Sequence, residues 1–143
     1  MGTILSVNIS KNKGEIKIPV PNCRLIEDYG LEGDAHAGDW HRQVSLLAQE
    51  NVDMMTAMGA KDLCPGIFAE NITTKGIELH TLPVGTKLAV GSCLLEITQI
   101  GKECHNHCAI YEQVGSCVMP TRGIFAKVLI GGVISNDDGI VKR

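Results

Sequence analysis

Glycine interrupts this chain so often that few apolar stretches run long enough to build a helix. Sixteen of the 143 residues are glycine, and the stretches between them favour short strands joined by tight turns. Period-two alternation predicts strands over residues 4–9, 15–20, 23–26, 43–47, 87–90, 93–100, 124–130, 133–134 and 140–141, with a further short one around Ile77 and Leu79. In the first, Leu5, Val7 and Ile9 form the expected buried face. In the second, Ile16, Ile18 and Val20 are in step, and Pro19 and Pro21 assign that strand to an edge or an end. Leu95, Ile97 and Gln99 share one face of the strand at 93–100, and residues 28–38 read as a long loop. Only residues 48–58 have helical spacing. Val52, Met55 and Met58 line one side, Gly59 is the stop, and the Met54, Met55 and Met58 group is expected to pack the helix against the sheet.

No fixed repeat is visible, and strands do not alternate with long helices. Many short strands are best accommodated by closure, which removes unpaired edges. The expected architecture is therefore mainly β: a closed or nearly closed barrel of short strands with one or two short helices, in a single domain spanning residues 1–143. Thirteen basic residues against sixteen acidic ones leave a net charge of −3, with no long basic run, so nothing favours nucleic acid as a partner. No apolar stretch has bilayer length and no basic start precedes one, so no membrane association is expected. A cytoplasmic protein follows, and its six cysteines are expected as thiols or metal ligands rather than disulfides.

Three segments carry chemistry. The first runs Gly33-Asp34-Ala35-His36-Ala37-Gly38, followed by Trp40, His41 and Arg42. Its glycines permit close backbone approach, His36 can donate to an anion or move a proton, and Arg42 offers a fork suited to phosphate or carboxylate. Equally, Asp34 and His36 can serve to pin the loop. The second sets Glu70 and Asn71 inside an extended run at 65–73, Asn71 as a structural cap and Glu70 in either role. The third is Gly101-Lys102-Glu103-Cys104-His105-Asn106-His107-Cys108, then Gly115-Ser116-Cys117. Lys102 and His105 beside Cys104 favour thiolate, the form that is both nucleophile and soft metal ligand. Cys104, Cys108 and Cys117 also suffice for zinc or an iron–sulfur centre, although their spacing is not that of a common zinc site. Cys23, Cys64 and Cys93 read as packed residues.

Taken in order, these segments resemble the MOSC domain, named for the carboxy-terminal domain of molybdenum cofactor sulfurase. The resemblance rests on the 33–38 segment with Arg42-Gln43-Val44-Ser45-Leu46-Leu47, and on Pro65-Gly66 running into Glu70-Asn71-Ile72-Thr73-Thr74. It continues through Val84-Gly85, then Leu95-Glu96-Ile97-Thr98-Gln99 leading to Cys104, then Gly123-Ile124-Phe125-Ala126 and Gly131-Gly132. It covers nearly the whole chain and departs at Asp137-Asp138, where the family usually has glycine before the aspartate. The resemblance implies a barrel similar to that of pyruvate kinase, with Cys104 as the cysteine that carries sulfur or coordinates molybdenum. It implies binding of the molybdenum–pterin cofactor, for which Gly33, Asp34, His36, Gly38, Arg42, Glu70, Asn71 and Arg122 are the expected binding residues, with the glycine-rich loop, His36, Arg42 and Arg122 expected at its phosphate. It also implies a cysteine desulfurase, dependent on pyridoxal phosphate, or a cofactor-biosynthesis protein as partner. The alternatives are a non-catalytic module that binds the cofactor or a partner, and a cysteine-ligated metal protein.

Overall fold

Short strands with one apolar face bury it by rolling the sheet into a ring. The computed structural model describes residues 1–101 and 122–143. In chain order its elements are β1 (Gly2–Ile9), β2 (Ile18–Val20), β3 (Asn22–Ile26), β4 (Gly30–Leu31), β5 (Val44–Ala48), α1 (Gln49–Ala57), β6 (Ile72–Lys75), a 3-10 turn (Leu79–Thr81), β7 (Lys87–Val90), β8 (Cys93–Ile100), β9 (Ile124–Ile130), β10 (Gly132–Ser135) and β11 (Gly139–Lys142). Seven strands close the barrel in the order β11-β7-β8-β9-β5-β6-β1, with β1 returning to β11. The β2 strand hangs from β1 as an outer edge, where its proline is tolerated. β5 and β6 run parallel, and α1 lies in the connection between them. β10, β3 and β4 form a second small sheet. The mainly-β barrel expected from the pattern is the fold observed, and among the described residues no helix is long and apolar enough to cross a membrane.

The barrel interior holds Ile4, Val7, Leu46, Ile72, Leu88, Leu95, Ile97, Ile124 and Ile140, among others. A second cluster lies outside the wall: Leu47, Val52, Met55, Ala60, Phe68 and Phe125 pack between the barrel and the α1 region. Alternation along β5 serves both, because Leu46 faces inward while Leu47 faces α1. All five residues of β5 are therefore buried.

Several local readings change. In β1 the register slips between Ile4 and Ser6, a bulge that moves Leu5 to the surface (40% exposed) while Ile4 and Val7 stay buried. The same bulge turns Ser6 and Asn8 onto the outer wall, where both are buried under loops. Ile16 and Ile18 are exposed, and Lys17 between them is buried. Within the expected loop at 28–38, Gly30 and Leu31 pair with β3. Ile77 and Leu79 do not form a strand; the chain makes the 3-10 turn there. Of the methionine group only Met55 is buried, while Met54 and Met58 lie on the solvent side of the helix.

This asymmetry sets an expected outcome. Met55→Ala should destabilise by about 2–5 kcal/mol in urea unfolding, the range for truncating a fully buried side chain. Met58→Ala should stay within about 0.5 kcal/mol of the parent.

Candidate functional site

The outer wall formed by β1, β6 and β5 carries polar side chains where a soluble sheet would ordinarily meet water, yet loops cover it. The deepest charge is Lys17. Its Nζ donates to Asp34 Oδ1 at 2.7 Å and to Ser10 Oγ at 3.0 Å, and lies 2.9 Å from His36 Nδ1. Neither side chain of the Lys17–Asp34 pair has any exposure. An ammonium group has only donors, so His36 Nδ1 must accept, and the ring proton sits on Nε2. Burial works against ionisation of Asp34. The hydrogen bond from Lys17, the N–H of Ser10 and the lysine charge outweigh it, and the carboxyl titrates below its ordinary value. Lys17 reaches this position because its N–H donates to Gly66 O, and Gly66 (φ +89°) lets the two backbones touch. A Cβ there would stand 2.1 Å from Lys17 O.

Glu70 and Asn71 lie beside this pair with no exposure. Asn71 Oδ1 accepts from Ser45 N–H and Ser45 Oγ, and its Nδ2 donates to Asn8 O, so it stitches β5 to β1. The structural role expected of Asn71 is the one observed. Glu70 accepts from Phe68 N–H and Thr73 Oγ1, and Asn8 Nδ2 in turn donates to Thr73 Oγ1. Burial pushes the Glu70 carboxyl up against the pull of these bonds.

The 33–38 loop spends its backbone donors on itself and its neighbours. Asp34, Ala35, Ala37 and Gly38 donate to Leu31, Ser10, Asp34 and Tyr29 carbonyls, and His36 N–H donates to Asp34 Oδ2. The loop is thus pinned, and what it presents to a ligand is side chain rather than an amide cradle. Trp40 Nε1 donates to His36 O. Arg42 lies between two rings, its Cζ 5.8 Å from the Trp40 centroid and 5.5 Å from that of Phe125. Its Nε donates to Gln99 Oε1, which also meets His41 Nε2, and Gln99 Nε2 donates to Gly101 O. No partner for the terminal nitrogens of Arg42 is found among the described residues.

The structure brings Gly33, Asp34, His36, Gly38 and Arg42 into one loop system over Glu70 and Asn71. Arg122 goes elsewhere: its guanidinium donates to His80 Nε2 beside the start of α1. Lys102, Cys104, His105, Cys108 and Cys117 lie outside the described residues. Among the described residues no group of three His, Cys, Asp or Glu is placed to hold a metal. Cys23 and Cys93 are buried as expected, and burial raises both thiols. Cys64 is exposed, which corrects the packed reading. Sequence reasoning missed Lys17 and Gln99. For Lys17 the local signal points the wrong way, since its isoleucine neighbours claim the buried face. Gln99 did carry a signal, a polar residue in register with Leu95 and Ile97. A register shift between Ile97 and Gln99 turns it to pair with Phe125 instead.

The family model described as "MOSC domain" matches residues 33–141. Among solved structures, YuaD from Bacillus subtilis superposes with a TM-score of 0.81 at 18% identity, over 98% of this chain and 94% of that one. YiiM from Geobacillus stearothermophilus gives 0.71 at 20% identity, over 100% of this chain and 75% of that one. YiiM from Escherichia coli gives 0.68 at 18% identity, over 100% and 70%. At these identities the likeness is one of fold. Comparison with curated proteins finds no match.

Two outcomes follow from the buried charges. Asp34→Asn strands the Lys17 ammonium and should cost about 3–5 kcal/mol, whereas removing both charges as Lys17→Met with Asp34→Leu should recover most of that loss. Because the folded Asp34 value is depressed, its contribution is complete above the unfolded carboxylate range and is lost as pH falls through the folded value. Thermal melts across acid pH should show that component in the parent and not in Asp34→Asn. Glu70 has the opposite sign: its raised folded value means stability is lost as pH rises through it. The melting temperature of Glu70→Gln, relative to the parent, should therefore climb as pH rises above the ordinary carboxylate range.

Proposed function

The chain belongs to the MOSC domain family, and on that premise we propose that it binds the molybdenum–pterin cofactor and accepts sulfur on Cys104, working in the cytoplasm beside a cysteine desulfurase or a cofactor-biosynthesis protein. The observation that carries this reading is the Arg42–Gln99–Gly101 chain of hydrogen bonds. Gly101 is the last described residue before the thiol-rich segment. Cys104 follows it by three residues in the sequence. A guanidinium is thereby tied to the root of the segment that bears the nucleophile.

The side chains fit an anionic cofactor. Arg42 has terminal donors to spare among the described residues and a planar fork held by two rings, the geometry that suits a phosphate. The Asp34 carboxylate close to His36 is already neutralised by Lys17 and adds little repulsion. Arg42 and His36 would hold the phosphate, and Lys17 would keep the His36 ring in the tautomer that carries its proton on Nε2. When bound, the cofactor would supply a molybdenum centre for sulfur or oxygen exchange.

Sulfur acceptance needs only the chain's own thiol and a persulfide donor. The Cys104 thiolate attacks the outer sulfur of the donor's persulfide. A new S–S bond forms at Cys104, the donor's S–S bond breaks, and the donor cysteine leaves as thiolate and takes up a proton. Lys102 and His105 lower the cost of holding the attacking charge.

Mass spectrometry after incubation with a cysteine desulfurase and cysteine tests this. One added sulfur is expected on Cys104 and none after Cys104→Ser. Arg42→Ala should keep the sulfur adduct while weakening cofactor binding by about tenfold or more, the scale of one lost charged contact. An unmodified Cys104 in the parent would refute the sulfur-carrying role.

A further inference from the structure

A cavity of about 410 Å³ opens at the start of α1, and its walls include Glu50, Asn51, Glu78, His80 and Arg122. Its apolar side is formed by Met54 and Ile77. His80 Nδ1 on this wall is buried and has no hydrogen-bond partner among the described residues. Asn51, 5% exposed, likewise shows no side-chain hydrogen bond among the described residues. A buried ring nitrogen ordinarily has a partner, so its position on the wall of an open cavity points to a ligand.

The other walls define that ligand's chemistry. Arg122 gives one guanidinium nitrogen to His80 Nε2, and its remaining donors have no partner among the described residues. Because Arg122 can only donate, His80 accepts through Nε2, which orients the guanidinium. The amino-terminal end of α1 adds to the same field: Ala48 lines the cavity and no side chain caps the helix. Donors and positive potential thus gather on one side. On the other stand two carboxylates, Glu78 and Glu50, the latter with Oε2 accepting from Gly76 N–H at 2.7 Å. A simple anion would meet these carboxylates, and a simple cation would meet Arg122. A molecule carrying both charges satisfies both walls.

We propose that this cavity binds a small zwitterion of the free α-amino-acid type, its carboxylate on Arg122 and Asn51 and its ammonium on Glu78 and Glu50. Its side chain lies against Met54 and Ile77. Among the described residues, none of its walls belongs to the His36–Arg42 loop.

The test is calorimetric titration of the full chain with L-alanine, with acetate and ethylamine as the two half-ligands, and with histidine-ring NMR to report on His80. L-Alanine is expected to bind saturably and to shift the His80 ring signals, and each half-ligand should bind at least about tenfold more weakly. Arg122→Gln should weaken L-alanine and acetate about tenfold and spare ethylamine. Glu78→Gln alters an exposed side chain that the fold does not use, and it should weaken L-alanine and ethylamine while sparing acetate. Absence of saturable L-alanine binding overturns the proposal. So does acetate binding as tightly as L-alanine, or binding that leaves the His80 ring signals unmoved.

Discussion

A lysine ammonium with no exposure is tolerated only where a carboxylate and further acceptors replace its water, and the surroundings of Lys17 are organised by that requirement. Asp34 supplies the charge, Ser10 an oxygen and His36 a ring nitrogen. These three partners lie on two separate stretches of chain, so holding the ammonium also fixes the 33–38 loop against β1 and orients the imidazole. Such a pair is weak evidence of net stability, because desolvation offsets much of its Coulomb energy. It does penalise any arrangement in which the loop is displaced, since one charge would then be buried alone.

Closure of the barrel decides where this pair can sit. Once the apolar faces fill the interior, residues of opposite parity on β1, β5 and β6 must go outward. The β1 bulge delivers Ser6 and Asn8 to that side together with Ser45 and Thr73. A wall that would otherwise be wet is covered by the loops at 10–17, 32–42 and 66–71, and so each polar group has to find a protein partner. Asn8 and Asn71 do most of this bridging, and Glu70 joins the same network with its ionisation opposed by burial. The outer wall is therefore a rigid base on which Arg42, Trp40 and His36 are displayed.

Two arginines come to the region where the 102–121 segment begins and ends, and each is held by a different polar side chain. Arg42 is tied through Gln99 to Gly101, and Arg122 is tied to His80 at the start of α1. The first belongs to an anion-accepting surface with aromatic walls. The second belongs to a mixed-charge cavity that uses the uncapped end of the helix. The family resemblance groups both residues at the cofactor phosphate; among the described residues Arg42 bonds to Gln99 and Arg122 to His80.

Much of the architecture was legible from residue order. The strands β7, β8 and β9 follow from period-two alternation bounded by Gly91 and by Gly131-Gly132, and α1 from the spacing of Val52 and Met55, because these signals are local. The importance of Asp34, His36 and Asn71 was also legible, since polar residues set among glycines or inside an apolar run imply a specific partner. What residue order could not reveal was which partner. Lys17 is buried and Ile16 and Ile18 are exposed because Gly66, almost fifty residues along the chain, takes the Lys17 N–H and admits its backbone. Leu5 is turned out by a bulge that only pairing with β6 creates. Periodicity records which face a segment prefers in isolation, whereas burial of a charge is decided by groups that meet only when distant segments close around it.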